Sequence, residues 1–385
     1  MADYYPLIAR AVTGLILNKE EKRLELYERA RAALVARLSA LDPPLDEISR
    51  TKERLALEEA FRRVEAAVVT AAEHGLSFSE FDRQAQIVDA LGSLADALDQ
   101  QSFGARMELT AAGVLRFVTT ASPADQAVAA DPIIRRMHAD MRSRCAALND
   151  RSTRLLRHAQ WAGLVRAVEI LSALLAPPVA ETAARIGSIW CLTLCLRAYI
   201  ERSEDARWHA HGMDEPSDAE VMRAVKDFVY VAGPWVRRFP GGRSLDSDVG
   251  TWTDSPGDVE PAATLLGRAE RAGLLSGDDA EIISIALDAS RGDSVPAGRA
   301  RCWVSGTIGN IGIVLVQALV DLAKRKIGTA GSGFTGTAET AQAIENVVLS
   351  GRDELVKSLS PLAHGIEVDT LRDAFAKLAP ATASG

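Results

Sequence analysis

Apolar residues recur at helical intervals along most of the chain. Between residues 20 and 41, Leu24, Tyr27, Leu34, Leu38 and Leu41 fall on one stripe with charges opposite. From Ser49 to His74, Leu57, Phe61, Val64 and Val68 repeat the pattern. Asp42, Pro43 and Pro44 separate the two, and proline ends helices because it lacks an N–H and fixes φ, so the pattern predicts an antiparallel helical hairpin. Phe81, Ile87, Val88, Leu91, Leu94 and Leu98 carry the period onward. Further helices are expected over 105–120, 132–148 and 151–176, then, after Pro177 and Pro178, over Val179 to Ile200. Ser217 and Glu220 have the spacing of a capping box at the head of a helix reaching Val236. Phe239 to Pro261 is rich in Gly, Pro, Ser and Asp and has no period, which predicts a linker or long loop. Helices over 261–273, 277–289, 303–326, 338–358 and 367–378 follow. The expected fold is an all-α multi-helix bundle: a hairpin module over 1–75, a central helical domain over 76–238, a linker over 239–260 and a C-terminal helical domain over 261–385. No fixed-period repeat points to a solenoid.

Four segments near the start, YYPLIARAV, ELYERARAALVARL, LDPPL and ERLALEEAFRRVEAA, resemble a helical module found at the beginning of many uncharacterised alphaproteobacterial proteins. The resemblance covers about the first 70 residues. It implies a helical N-terminal module joined to varied C-terminal parts, and it carries no activity or functional residue.

The run Cys302 to Val320, CWVSGTIGNIGIVLVQALV, is uncharged and is followed by Lys324, Arg325 and Lys326. As a helix it rises roughly 28 Å, close to the roughly 30 Å of a bilayer core, yet Ser305, Thr307, Asn310 and Gln317 dilute its apolarity. Core burial is the favoured expectation. The alternative is membrane contact, with Trp303 and Leu315 on the apolar face and the basic trio at anionic headgroups. Gly306, Gly309 and Gly312 cost helix stability, so the expected helix starts near Asn310 as its cap, with Gly306 and Gly309 before it; a continuous helix would need close packing at the glycines.

Composition narrows the function. Aromatics are only 5%, consistent with helices over strands, and a net charge of -8 disfavours nucleic acid and anionic lipid except through a local basic patch. Arg151, Arg154 and Arg157 could form such a patch on one helical face, where their planar forks suit an anion; pairing with the acidic excess is the plainer expectation. The start, with Asp3 before any long apolar core, shows no secretion signal, and four scattered cysteines form no disulfide framework, so the cytoplasm is expected. Cys191 and Cys195, one turn apart in an apolar segment, read as core.

Candidate chemistry is sparse. Gly331, Gly333 and Gly336 spell G-x-G-x-x-G before a helix, but the buried strand that would present a phosphate loop is missing, so they read as a connection between helices. His209, His211, Asp214 and Glu215 form HAHGMDE, superficially similar to the H-x-H-x-D-H signature of metallo-β-lactamases; Asp214 is one residue late and no His follows. Asp278 and Asp279 read as helix-start residues. No catalytic residue, metal or cofactor is assigned. The expected role is an interaction or scaffold protein binding a protein partner or a second copy. The alternatives are a conditional membrane-acting effector, and an enzyme taking a phosphorylated ligand at Gly331 to Gly336.

Overall fold

Alanine, leucine and charged helix formers leave helix as the low-energy choice nearly everywhere, and the computed structural model is all-α apart from one short hairpin of strands. It describes residues 3–15, 18–40, 46–97, 100, 102–204, 216–251, 259–275, 277–328 and 334–359. Two compact units separate, Met1–Gly92 with Val320–Gly333, and Ser93–Leu319 with Phe334–Gly385.

In the first unit, α1 (Tyr5–Thr13), α2 (Glu20–Ser39), α3 (Glu47–Glu73) and the start of α4 (Phe78–Ala97) follow in order. The Asp46 carboxylate accepts from the Ser49 N–H and so caps α3. Leu34 and Leu38 of α2 share one buried cluster with Leu57, Phe61 and Val64 of α3 and Ile8 and Val12 of α1, and Tyr27 stacks on Phe61 at 4.3 Å. The expected stripe needs one correction: Leu24 is 53% exposed and Arg23 is buried in its place. At about 100° per residue, Arg23, Tyr27, Leu34 and Leu38 lie within about 60° of one another, while Leu24 lies farther round. Burial of Arg23 is compensated by a bidentate pair with Glu65, both bonds 2.8 Å, and the Tyr27 hydroxyl donates to the same carboxylate. Arg23 thereby holds the Glu65 carboxyl below its ordinary range.

The second unit opens with a β-hairpin where a helix over 105–120 was expected. Strands β1 (Met107–Leu109) and β2 (Leu115–Phe117) pair antiparallel with Met107 opposite Phe117. Met107, Leu115 and Phe117 point inward and Glu108 and Arg116 outward, a period of two, and Gly113 turns the chain at φ 77°. The edge of β2 is tied elsewhere in the unit, with the Leu115 N–H donating to the Leu274 carbonyl at 2.7 Å.

Helices α5 (Pro123–Ala129), α6 (Pro132–Ser152), α7 (Ala162–Leu175), α8 (Val179–Thr182), α9 (Ile186–Glu204), α10 (Pro216–Val236), α11 (Pro240–Thr251), α12 (Glu260–Arg271), α13 (Gly277–Ala289), α14 (Val295–Lys326), α15 (Ala338–Ser350) and α16 (Arg352–Leu359) follow. α14 enters the first unit at Val320. Between α6 and α7 the chain tightens into short 3-10 turns, Thr153–Arg157 and Ala159–Trp161, rather than continuing the expected helix. Helices α6, α7, α9, α10 and α13 pack pairwise, with Met141, Trp161, Tyr199 and Trp235 fully buried.

The expected linker is also corrected: residues 240–251 form α11, and 252–258 lie outside the described residues. Its glycines serve contact, because a Cβ on Gly242 would stand 2.4 Å from the Val236 carbonyl oxygen, while Leu245 and Val249 bury one turn apart. A further correction concerns α14, which begins at Val295, so Gly306 and Asn310 lie inside it and Asn310 is not its cap. Gly312 seats Leu355 and Leu359 of α16, whose methyls would lie 3.1 and 3.3 Å from an added Cβ. Among the described residues two helical segments, Val179–Glu204 and Val295–Lys326, are long and apolar enough to cross a membrane, and 72% and 89% of their apolar windows are buried inside the fold. That apolarity is spent on packing.

His138 of α6 is buried, 3.3 Å from the Thr182 hydroxyl and facing the Trp235 ring at 5.8 Å. Burial, then the nearby Arg142 charge, pushes its pKa below the ordinary 6.5. The unfolded chain therefore takes up a proton as pH falls through about 6.5 while the folded chain resists it, so this site's stability is intact above that pH and drains below it. Urea unfolding of His138→Gln between about pH 7 and 5 should show a shallower loss of stability than the parent. Parallel slopes would reject the assignment.

Candidate functional site

Thr307 and Asn310, fully buried on an apolar helix, are explained by what presses against them. The segment Phe103 to Arg106 runs over α14 so closely that a Cβ on Gly104 would lie 2.3 Å from the Gly306 carbonyl carbon and the Thr307 nitrogen. The two glycines create this approach, and the polar side chains hold it. Thr307 Oγ1 accepts from the Ala105 N–H at 2.8 Å and donates to the Trp303 carbonyl at 2.8 Å, while Asn310 Nδ2 donates to the Ala105 carbonyl at 2.9 Å. The Arg106 carbonyl next accepts from Val118 N–H at 2.9 Å. The backbone at Arg106 is thus fixed on both sides, so buried polar groups that dilute the helix position one exposed arginine.

Arg106 stands at the rim of a cavity of about 280 Å³, with Phe117, Ile186 and Leu245 as apolar walls and Trp303 also lining it. Arg185 is oriented by Asp279, 3.0 Å away, whose other oxygen accepts from the Phe117 N–H at 3.0 Å. Asp279 does more than complement a helix start: it joins α13, β2 and the turn before α9. Asp125, also lining the cavity, already accepts from the Ser122 hydroxyl at 2.6 Å and the Gly241 N–H at 3.0 Å. Ser188, 5% exposed, makes no hydrogen bond through its hydroxyl to any described residue, and the buried Trp303 Nε1 has no partner.

A second, larger groove of about 480 Å³ between α9 and α10 includes the 83% exposed Tyr230. Of its charges, Lys226 is met by Glu204 at 2.9 Å and Arg237 by Asp246 at 2.9 Å, while Arg197 and Glu201 also line it.

The residues singled out from sequence scatter. Trp303 and Leu315 are 1% and 0% exposed, so neither presents a contact surface in this fold. Lys324 is partly buried and Arg325 and Lys326 are exposed at the end of α14. Arg151 lies in the last turn of α6, and Arg154 and Arg157 follow in the 3-10 turn; all three are exposed, but Arg157 is committed to the buried Asp218 at 2.6 Å. Gly336 precedes α15, whose first turn is capped by Thr337 accepting from the Thr340 N–H; Gly331 and Gly333 lie outside the described residues, as do His209, His211, Asp214 and Glu215. Among the described residues no group of three His, Cys, Asp or Glu is placed to hold a metal ion. Cys191 and Cys195 are buried with sulfurs 4.0 Å apart. Sequence reasoning missed Arg106, Arg185 and Ser188; the alternation of Met107 to Phe117 was the signal that could have marked the hairpin behind them.

Compared with protein-family models, curated proteins and solved structures, the chain matches none.

Proposed function

We propose that the chain is a helical interaction protein that assembles with a second copy of itself through its first unit. The supporting observation is a line of exposed apolar side chains on α3. Ile48, Leu55 and Val69 are 67%, 59% and 57% exposed, and their spacing of seven and fourteen residues keeps them on one face, with Arg62 filling the gap. Leu24 and Val35 of α2, eleven residues apart, form another exposed pair. Apolar side chains aligned at heptad spacing on an outer face suit a second helix, whereas isolated exposed ones need no explanation. The membrane-acting alternative draws on α14, whose apolar window is 89% buried, and has less support.

Light-scattering mass across a dilution series should give a species heavier than one chain, and Leu55→Glu with Val69→Glu should return it to monomer. Both positions are exposed, so the stability of the double variant should stay within about 0.5 kcal/mol per site of the parent. A parent that is monomeric at every concentration, or a double variant that keeps the parent mass, would reject the reading.

A further inference from the structure

We propose that the cavity beneath Arg106 binds a small organic anion, its carboxylate or phosphate held by Arg106 and Arg185 and its apolar body against Phe117 and Leu245. The argument is an imbalance of hydrogen-bonding groups. The Arg106 guanidinium has no hydrogen-bond or ion-pair partner among the described residues, although the chain carries a net charge of -8 and carboxylates are plentiful. The buried Trp303 ring closes the same cavity, edge-to-face with Phe117 at 6.1 Å. Ser188 lies on a helix, where a serine commonly returns its hydroxyl to the carbonyl four residues back, and it makes no such bond. Arg185 adds a second cation, held in place by Asp279.

Against these donors the cavity's carboxylate, Asp125, already accepts from Ser122 and Gly241. What the cavity lacks is acceptors, and an anion supplies them with charge. A buried polar group without a partner is costly, so the Ser188 hydroxyl left this way, in a cavity that also carries the unpaired Arg106 guanidinium, points to a ligand that completes both. The volume, about 280 Å³, lies at the lower end of ligand cavities and limits the ligand to one small ring or a short chain.

The test is calorimetric titration of the full chain with benzoate and with phenyl phosphate, using uncharged benzamide as the control of the same shape. At least one of the two anions should bind saturably and benzamide should not. Arg106→Gln should weaken that binding by about tenfold or more, and Ser188→Ala by about threefold. Arg151→Gln, which removes an exposed arginine from α6, should leave it unchanged. Arg106 is exposed and its side chain unpaired, so a melting curve superposable on the parent's is expected for Arg106→Gln and separates lost binding from lost fold. Absence of binding by both anions, equal binding of benzamide, or binding indifferent to Arg106→Gln would overturn the proposal. Loss of self-association in the first unit would leave this result untouched, so the two readings fail separately.

Discussion

Gly104→Ala is expected to destabilise the second unit by about 3 kcal/mol, the upper end of overpacking costs. The added methyl would lie 2.3 Å from two backbone atoms of α14, and backbone inside a helix cannot swing away as a side-chain tip can. The loop must therefore lift, which breaks the bonds from Thr307 and Asn310 to Ala105 as well. Gly267→Ala on α12 should have the opposite sign, because nothing lies within 4 Å of its Cβ position and a helix-interior glycine costs about 0.5–1 kcal/mol relative to alanine. Guanidinium unfolding followed by tryptophan fluorescence measures both, since the described tryptophans, Trp161, Trp190, Trp235 and Trp303, belong to the second unit. Equal stabilities for Gly104→Ala and the parent would mean that the loop is not held against the helix.

Leu315→Asp should cost more than about 4 kcal/mol and yield insoluble or unfolded chain, because a carboxylate would replace a side chain with 0% exposure. Leu315→Met, which keeps volume and apolarity, should cost less than about 1.5 kcal/mol. At the other end of the same helix Val295→Asp should be tolerated: Val295 is 71% exposed, and an acid in the first turn complements the helix dipole. The contrast separates a requirement for apolarity along the whole helix, as a lipid-facing span imposes, from a requirement at buried positions only. A soluble, cooperatively folded Leu315→Asp would show that α14 is not core.

The helices were legible because burial and period agree: Leu34, Leu38, Phe61 and Val64 share one cluster, as their spacing predicts. What failed depended on partners distant in sequence. Arg23 is buried because Glu65 waits 42 residues later, a pairing that periodicity does not encode. Pro240, Gly241 and Gly242 look like a linker by composition, yet Gly242 is small because the Val236 carbonyl lies against it. Thr307 and Asn310 read as dilution of an apolar run because their partner, Ala105, is 202 and 205 residues away. The candidate cavity was illegible for the same reason: its groups come from five stretches of chain, and only Arg185 and Ser188 share one. Its signature is unmet hydrogen-bonding capacity, a property of the fold and not of any segment.

The four cysteines carry a practical consequence. Cys145, Cys191, Cys195 and Cys302 are all buried and all belong to the second unit; burial raises the Cys145 thiol to about 12 and Cys302 to about 11, and lifts Cys191 above its ordinary value. Alkylating reagents attack the thiolate, so the native chain is a poor target until this unit opens. The rate of carboxymethylation then becomes a clock built into one unit and absent from the other, which has no sulfhydryl to report. Run on the parent and on Gly104→Ala, that clock times the opening of the cavity-bearing unit without an added label.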